Sequence, residues 1–145
     1  MKTTRIFHYL AIAFIISYCK EQSKKELNTL NPSISKIEVL DFYSTHRCIT
    51  CNAIENNTKY TLETFFKNEL KNGKITFKAI NVDEKENEVI AEKFEASGTA
   101  LILNIIKNGK EEKIDLTEFA FMYGKNKVEF SNQLRSKIQK QLDDL

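Results

Sequence analysis

The 145-residue chain has no tryptophan, one proline, four glycines and three cysteines. So little proline and glycine excludes a collagen-like or proline-rich linker protein. Three cysteines are too few for a small domain stapled by disulfides. No apolar run reaches the roughly 20 residues that a membrane-spanning helix requires. Neither sign of charge dominates, with 22 Lys+Arg against 20 Asp+Glu, and hydrophobic residues make up 41%. That balance excludes a disordered acidic or basic tail and allows one domain with one real core. There is also no glycine-rich loop of the kind that cradles phosphate, so no organic cofactor is expected.

The first residues read as an address. Lys2 and Arg5 are followed by a mostly apolar stretch from Ile6 to Ile16. Its length suits the centre of a secretory signal rather than a span. Ile16-Ser17-Tyr18-Cys19 resembles a bacterial lipobox, although Tyr18 stands where a small residue is usual. The expectation is a signal peptide over 1–18, lipidation at Cys19, and a polar linker over 19–35 leading to a domain over 36–145. This implies an exported protein of the bacterial cell envelope, held at a membrane by its lipid. Without residues 1–18, 20 basic and 20 acidic side chains remain. No basic excess is left for a nucleic acid, so none is expected as a partner.

Within the domain, Lys36–Tyr43 (KIEVLDFY) reads as a buried strand and Cys48–Leu70 as a helix ended by Asn72-Gly73. Ile75–Val82 reads as a second strand. Glu84–Ala96 reads as a second helix with Val89, Ile90, Ala91 and Phe94 inward, and Ala100–Lys107 as a third strand. Asn108-Gly109 predicts a tight hairpin into a fourth strand over Glu111–Leu116. Helical segments follow, the last over Ser131–Leu142, and the cluster Phe119, Phe121, Met122, Tyr123 reads as core or as a partner-facing edge. The order is β-α-β-α-β-β-α. Strands joined through helices are expected to be parallel, and the hairpin pair antiparallel.

Cys48-Ile49-Thr50-Cys51 falls where the first strand gives way to the first helix. Two intervening residues at a helix start bring the sulfurs within bonding reach. The first sulfur lies near unpaired amide groups of the opening turn, which favour thiolate. Arg47 adds a positive charge, so Cys48 is expected to ionise below the free thiol value of about 8.5. Cys48 is then the nucleophile, and Cys51, one turn inside the helix, the resolving thiol.

These residues resemble the thioredoxin-like superfamily, through Val39–Tyr43, the Cys48–Cys51 motif and the LILNIIKNG stretch from Leu101 to Gly109. More narrowly, Tyr43–Glu55 is similar to small envelope proteins labelled nitrophenyl-compound nitroreductase subunit ArsF-like. The resemblance implies an α/β thioredoxin-like fold, with a mixed four-stranded central sheet flanked by helices. It also implies thiol–disulfide exchange with a protein redox partner, in the narrower family electron delivery to a partner reductase. It further implies that Asp41 accepts a proton from the second cysteine, although Asp41 lies one residue further upstream than usual. Thioredoxins carry Trp before the motif and Gly-Pro within it, where this chain has Arg47 and Ile49-Thr50. Their cis-proline before the third strand, which blocks metal capture, is replaced here by Thr99 or Ala100.

Other readings stay open on the sequence. His46, Cys48 and Cys51 could hold copper or zinc, although a closed zinc site wants about four ligands. Asn52 rather than His follows Cys51, which argues against haem attachment. The two cysteines could also form a structural bridge in a redox-inert interaction subunit. His46 could be a solvated loop residue and Asp41 a polar strand-end group.

Overall fold

The computed structural model describes residues 35–145. The expected signal peptide, Cys19 and nearly all of the linker lie outside the described residues. Four strands, β1 (Lys36–Tyr43), β2 (Ile75–Asn81), β3 (Ala100–Lys107) and β4 (Lys110–Asp115), form one sheet in the order β2-β1-β3-β4. Helices α1 (Ile49–Phe65), α2 (Lys67–Lys71), α3 (Glu88–Lys93), α4 (Thr117–Tyr123) and α5 (Lys127–Asp143) connect and cover them. This is the expected mixed four-stranded sheet flanked by helices.

β1 is central and covered on both sides, which is why it reads as a nearly continuous apolar run. Side chains alternate between faces. Ile37 and Val39 join Ile54, Leu62, Leu103, Phe130, Leu134 and Ile138 in the larger core, beneath α1 and α5. Leu40 and Phe42 join Ile80, Phe94 and Ile102 in a smaller core on the other side. The same alternation directs Asp41 to the α1 side, where it is fully buried.

β1 and β2 are parallel, as expected, and β3 and β4 antiparallel. The expected parallel crossover into β3 is corrected: β3 runs antiparallel to β1, with Phe42 opposite Ala100 and Asp41 opposite Leu101. The reason is length. β2 carries the chain about 23 Å along the sheet, whereas the six residues of α3 return it only about 9 Å. The chain is therefore still near the end of the sheet it has just reached when β3 begins. That end is where β1 finishes and α1 starts.

Three helical boundaries also change. The expected helix over 48–70 breaks at Phe66, which leaves helical geometry (φ −129°) and is buried, while Phe65 is partly exposed. Phe66 closes α1, its N–H donating to the Leu62 carbonyl at 2.9 Å, and opens α2. The second expected helix contracts to a short 3-10 turn, Lys85–Asn87, and α3, and Val89 points outward rather than into the core. α5 begins earlier than expected, with Asn126 as its cap accepting from the Glu129 N–H. Of the aromatic cluster on α4, Phe119 and Tyr123 pack against the larger core, but Phe121 and Met122 are exposed.

The hairpin turn is as expected, with Asn108 at φ 53° and Gly109 at φ 74°. Both are positive, as a type I′ turn requires. Edge strand β4 (KEEKID) is largely exposed and charged, which discourages pairing with another sheet. Gly124, at the end of α4, sits close against α1. A Cβ there would lie 3.0 Å from Thr50 Cγ2 and 3.1 Å from Ile54 Cγ1.

Candidate functional site

The strand-to-helix junction places Cys48 as the N-cap of α1 and Cys51 in its first turn. The two are joined by a disulfide, with Cα atoms 5.0 Å apart. Cys48 is exposed and Cys51 is 7% exposed. The Cys51 backbone N–H donates to Cys48 Sγ at 3.0 Å. The outer sulfur thus receives one of the amide donors that a helix start leaves unpaired. Ile49, between the cysteines, is 84% exposed, so an apolar side chain stands beside the accessible sulfur.

The loop before Cys48 is fastened to the end of β2. The Thr45 N–H donates to Asp83 Oδ2 at 2.7 Å, and Asn81 Nδ2 donates to Thr45 Oγ1 at 3.2 Å. The Val82 N–H donates to the Tyr43 carbonyl at 2.8 Å. His46 is exposed. Among the described residues no group of three or more His, Cys, Asp or Glu is placed to hold a metal ion. The expected alternative cluster of His46, Cys48 and Cys51 is therefore not assembled, and the two sulfurs are bonded to each other.

Arg47 turns inward. Its Nη2 donates to the Cys51 carbonyl at 3.2 Å and lies 3.4 Å from Asp41 Oδ2. Its Nη1 pairs with Glu55 Oε2, and the guanidinium carbon sits 4.2 Å from the centre of the Tyr43 ring. Glu55 also receives Lys59, four residues further along α1. The structure thus brings Arg47 together with Asp41 and Cys51. The partners it gives the guanidinium are carboxylates, a carbonyl and an aromatic face.

Asp41 is fully buried, and among the described residues its Oδ1 has no hydrogen-bond partner. Burial pushes its carboxyl from the ordinary 3.8 up to about 7, against the pull of Arg47, and the charge of Glu55 adds to the rise. Glu55 behaves oppositely. Burial acts to raise it, but hydrogen bonds from Arg47 and Lys59, with their charges, hold it below its ordinary 4.5. One guanidinium is shared unequally between two acids, and the outer one has the larger share.

Chemically, the arrangement offers an accessible sulfur backed by amide donors, a sheltered second sulfur, and a buried acid able to change protonation near neutral pH. Glu55 and Tyr43 were not singled out by sequence reasoning. The signal for Glu55 was its spacing: Cys51, Glu55 and Lys59 follow at four-residue steps and so share one side of α1.

No family model and no curated protein matches the chain. Solved structures do. A thioredoxin from Fasciola hepatica aligns at 20% identity over 73% of this chain and 81% of its own, with a TM-score of 0.45. A thioredoxin from Thermus thermophilus aligns at 18% identity over 73% and 76%, with a TM-score of 0.48. Mitochondrial thioredoxin 3 from Saccharomyces cerevisiae, in its oxidized form, aligns at 22% identity over 63% and 78%, with a TM-score of 0.41.

Proposed function

We propose that this protein is a thiol–disulfide exchange protein that passes two electrons to or from a protein partner through Cys48 and Cys51. The observation that carries the reading is the asymmetry of the pair: one sulfur exposed at a helix start, the other sheltered, with Arg47 linking its residue's carbonyl to a buried acid. In the reducing direction, the Cys48 thiolate attacks a partner disulfide. A Cys48–partner disulfide forms, and the first partner thiolate leaves and takes up a proton. Cys51 then gives its proton to the Asp41 carboxylate and attacks Cys48 Sγ. The Cys48–Cys51 bond forms, and the second partner thiolate leaves and is protonated in turn. Asp41 then releases the Cys51 proton to solvent, and Cys48 gave up its own on ionising, so the protein has passed two electrons to the partner and two protons to the solvent, from which the two partner thiolates take theirs. The reverse sequence oxidises a partner dithiol.

The first residues supply the proposed location. A cationic start, a short apolar run and the lipobox-like stretch ending at Cys19 support export to the bacterial envelope and a lipid anchor. The ArsF-like resemblance of Tyr43–Glu55 supports a reductase as the partner. In this reading residues 36–145 are the working domain.

Two measurements test the proposal. Equilibrated in glutathione buffers, the pair should show one two-electron transition above about −300 mV, the level below which structural disulfides typically lie. Cys51→Ser should trap a mixed disulfide at Cys48, and Cys48→Ser should trap none. A potential in the structural range, or trapping in neither variant, would refute exchange. For the anchor, mass spectrometry of protein from a membrane fraction should find Cys19 acylated, and an unmodified Cys19 would remove it.

A further inference from the structure

Among the described residues, Arg47 gathers four groups whose joint geometry the exchange step does not use: the Cys51 carbonyl, Asp41, Glu55 and Tyr43. Arg47 Nη2 reaches both the Cys51 carbonyl and Asp41 Oδ2, Arg47 Nη1 reaches Glu55, and the guanidinium lies over Tyr43. The Arg47 side chain is only 16% exposed and that of Glu55 14%. These charges are therefore less screened than an exposed ion pair.

We propose that Arg47 is a positioning residue for the resolving step. It ties the first turn of α1 to the buried Asp41 and divides one positive charge between Asp41 and Glu55, so that Glu55 sets the pH at which Asp41 can accept the Cys51 proton. The proposal rests on the exchange reading and adds a control element to it.

The division follows from the contacts. A carboxylate as deeply buried as Asp41 ionises only with support from a cation. The charged groups facing it are Arg47 from the loop and Glu55 and Lys59 from α1. Its neighbours across the sheet, Ala79 on β2 and Leu101 on β3, carry no charge. Among the described residues Arg47 is the one cation in hydrogen-bond contact with Asp41, and Glu55 competes for it. Removing Arg47 should make Asp41 harder to ionise. Removing the Glu55 charge should make it easier, because the guanidinium is then free for Asp41. A purely structural role for Arg47 gives no reason for opposite effects from the two substitutions.

The test uses the full chain, with 13C-labelled aspartate and oxidised glutathione as the disulfide probe. The Asp41 carboxyl carbon is titrated in the oxidised protein, and the rate of glutathione reduction by the reduced protein is followed against pH. Arg47→Gln should move the Asp41 midpoint up by about one pH unit or more, in line with the effect of an opposite charge at this range. The rate at neutral pH should then fall about five-fold, as the ionised fraction drops from about half to about a tenth. Glu55→Gln, which keeps Arg47 and guards against a folding failure in the first variant, should move both midpoints down. Arg47→Lys should restore part of the shift.

Movement of both variants in one direction, or of neither, would overturn the proposal. So would an Asp41 midpoint that shifts while the rate profile stays fixed, and in that case exchange itself stands. A wild-type protein that titrates as expected but reduces no glutathione would overturn the exchange reading, and the proposal with it.

Discussion

Replacing Asp41 with Asn isolates the energetic consequence of a buried acid. Between its ordinary 3.8 and about 7, the unfolded chain has released the Asp41 proton while the folded protein still holds it. The folded state binds more protons in that window, so stability falls as pH rises through it and levels off above about 7. Each pH unit is worth about 1.4 kcal/mol, which makes the whole window about 4 kcal/mol. Glu38 and Glu55, held below their ordinary 4.5, act in the opposite sense: their contribution is present above that value and lost as pH falls. Both acids remain in the variant, so the difference between the two proteins reports Asp41. Urea denaturation of the oxidised proteins should find Asp41→Asn close to the wild type at about pH 4, and more stable by about 4 kcal/mol at about pH 8.5. A difference that is flat with pH, or a variant that weakens as pH rises, would show that pairing with Arg47 outweighs burial and refute the reasoning.

Other expectations are simpler. In the reduced protein, iodoacetamide should label Cys48 before Cys51, because one sulfur is exposed and the other sheltered; equal labelling rates, read by peptide mass, would contradict this. Gly124→Ala should destabilise by about 1–3 kcal/mol in urea, since the new methyl group would press on Thr50, Ile54 and the Ala120 carbonyl. Leu134→Ala, at a fully buried position in the larger core, should lose about 2–5 kcal/mol by the same assay. Gly109→Ala forces a Cβ into left-handed backbone at the hairpin and should cost about 1–2 kcal/mol.

What could be read from the amino acids depended on how local the signal was. β1 and β3 have the expected bounds because each is a β-rich apolar run covered on both faces. Asn108-Gly109 is legible because its backbone demand is met by its own two residues. That Cys48 and Cys51 could pair was legible from their spacing at a helix start. The direction of β3 was not, because it depends on how far a connection can travel, and the expected helix over 84–96 was longer than the one that forms. The break at Phe66 was not legible either, because Phe65 and Phe66 carry the same local signal and only tertiary packing leaves one exposed and the other buried. Arg47 shows the same limit. Its charge was visible, but that its side chain would fold back over Tyr43 toward two acids depended on Asp41 and Glu55 converging from different elements.

The direction of β1 has a practical outcome. The chain enters the sheet at Lys36 and reaches the disulfide only after the strand's full length, about 25 Å away at about 3.3 Å per residue. Whatever is joined ahead of Lys36 therefore attaches at the far pole of the domain. A bead or carrier joined directly at Lys36 would meet the end of the sheet away from the sulfurs.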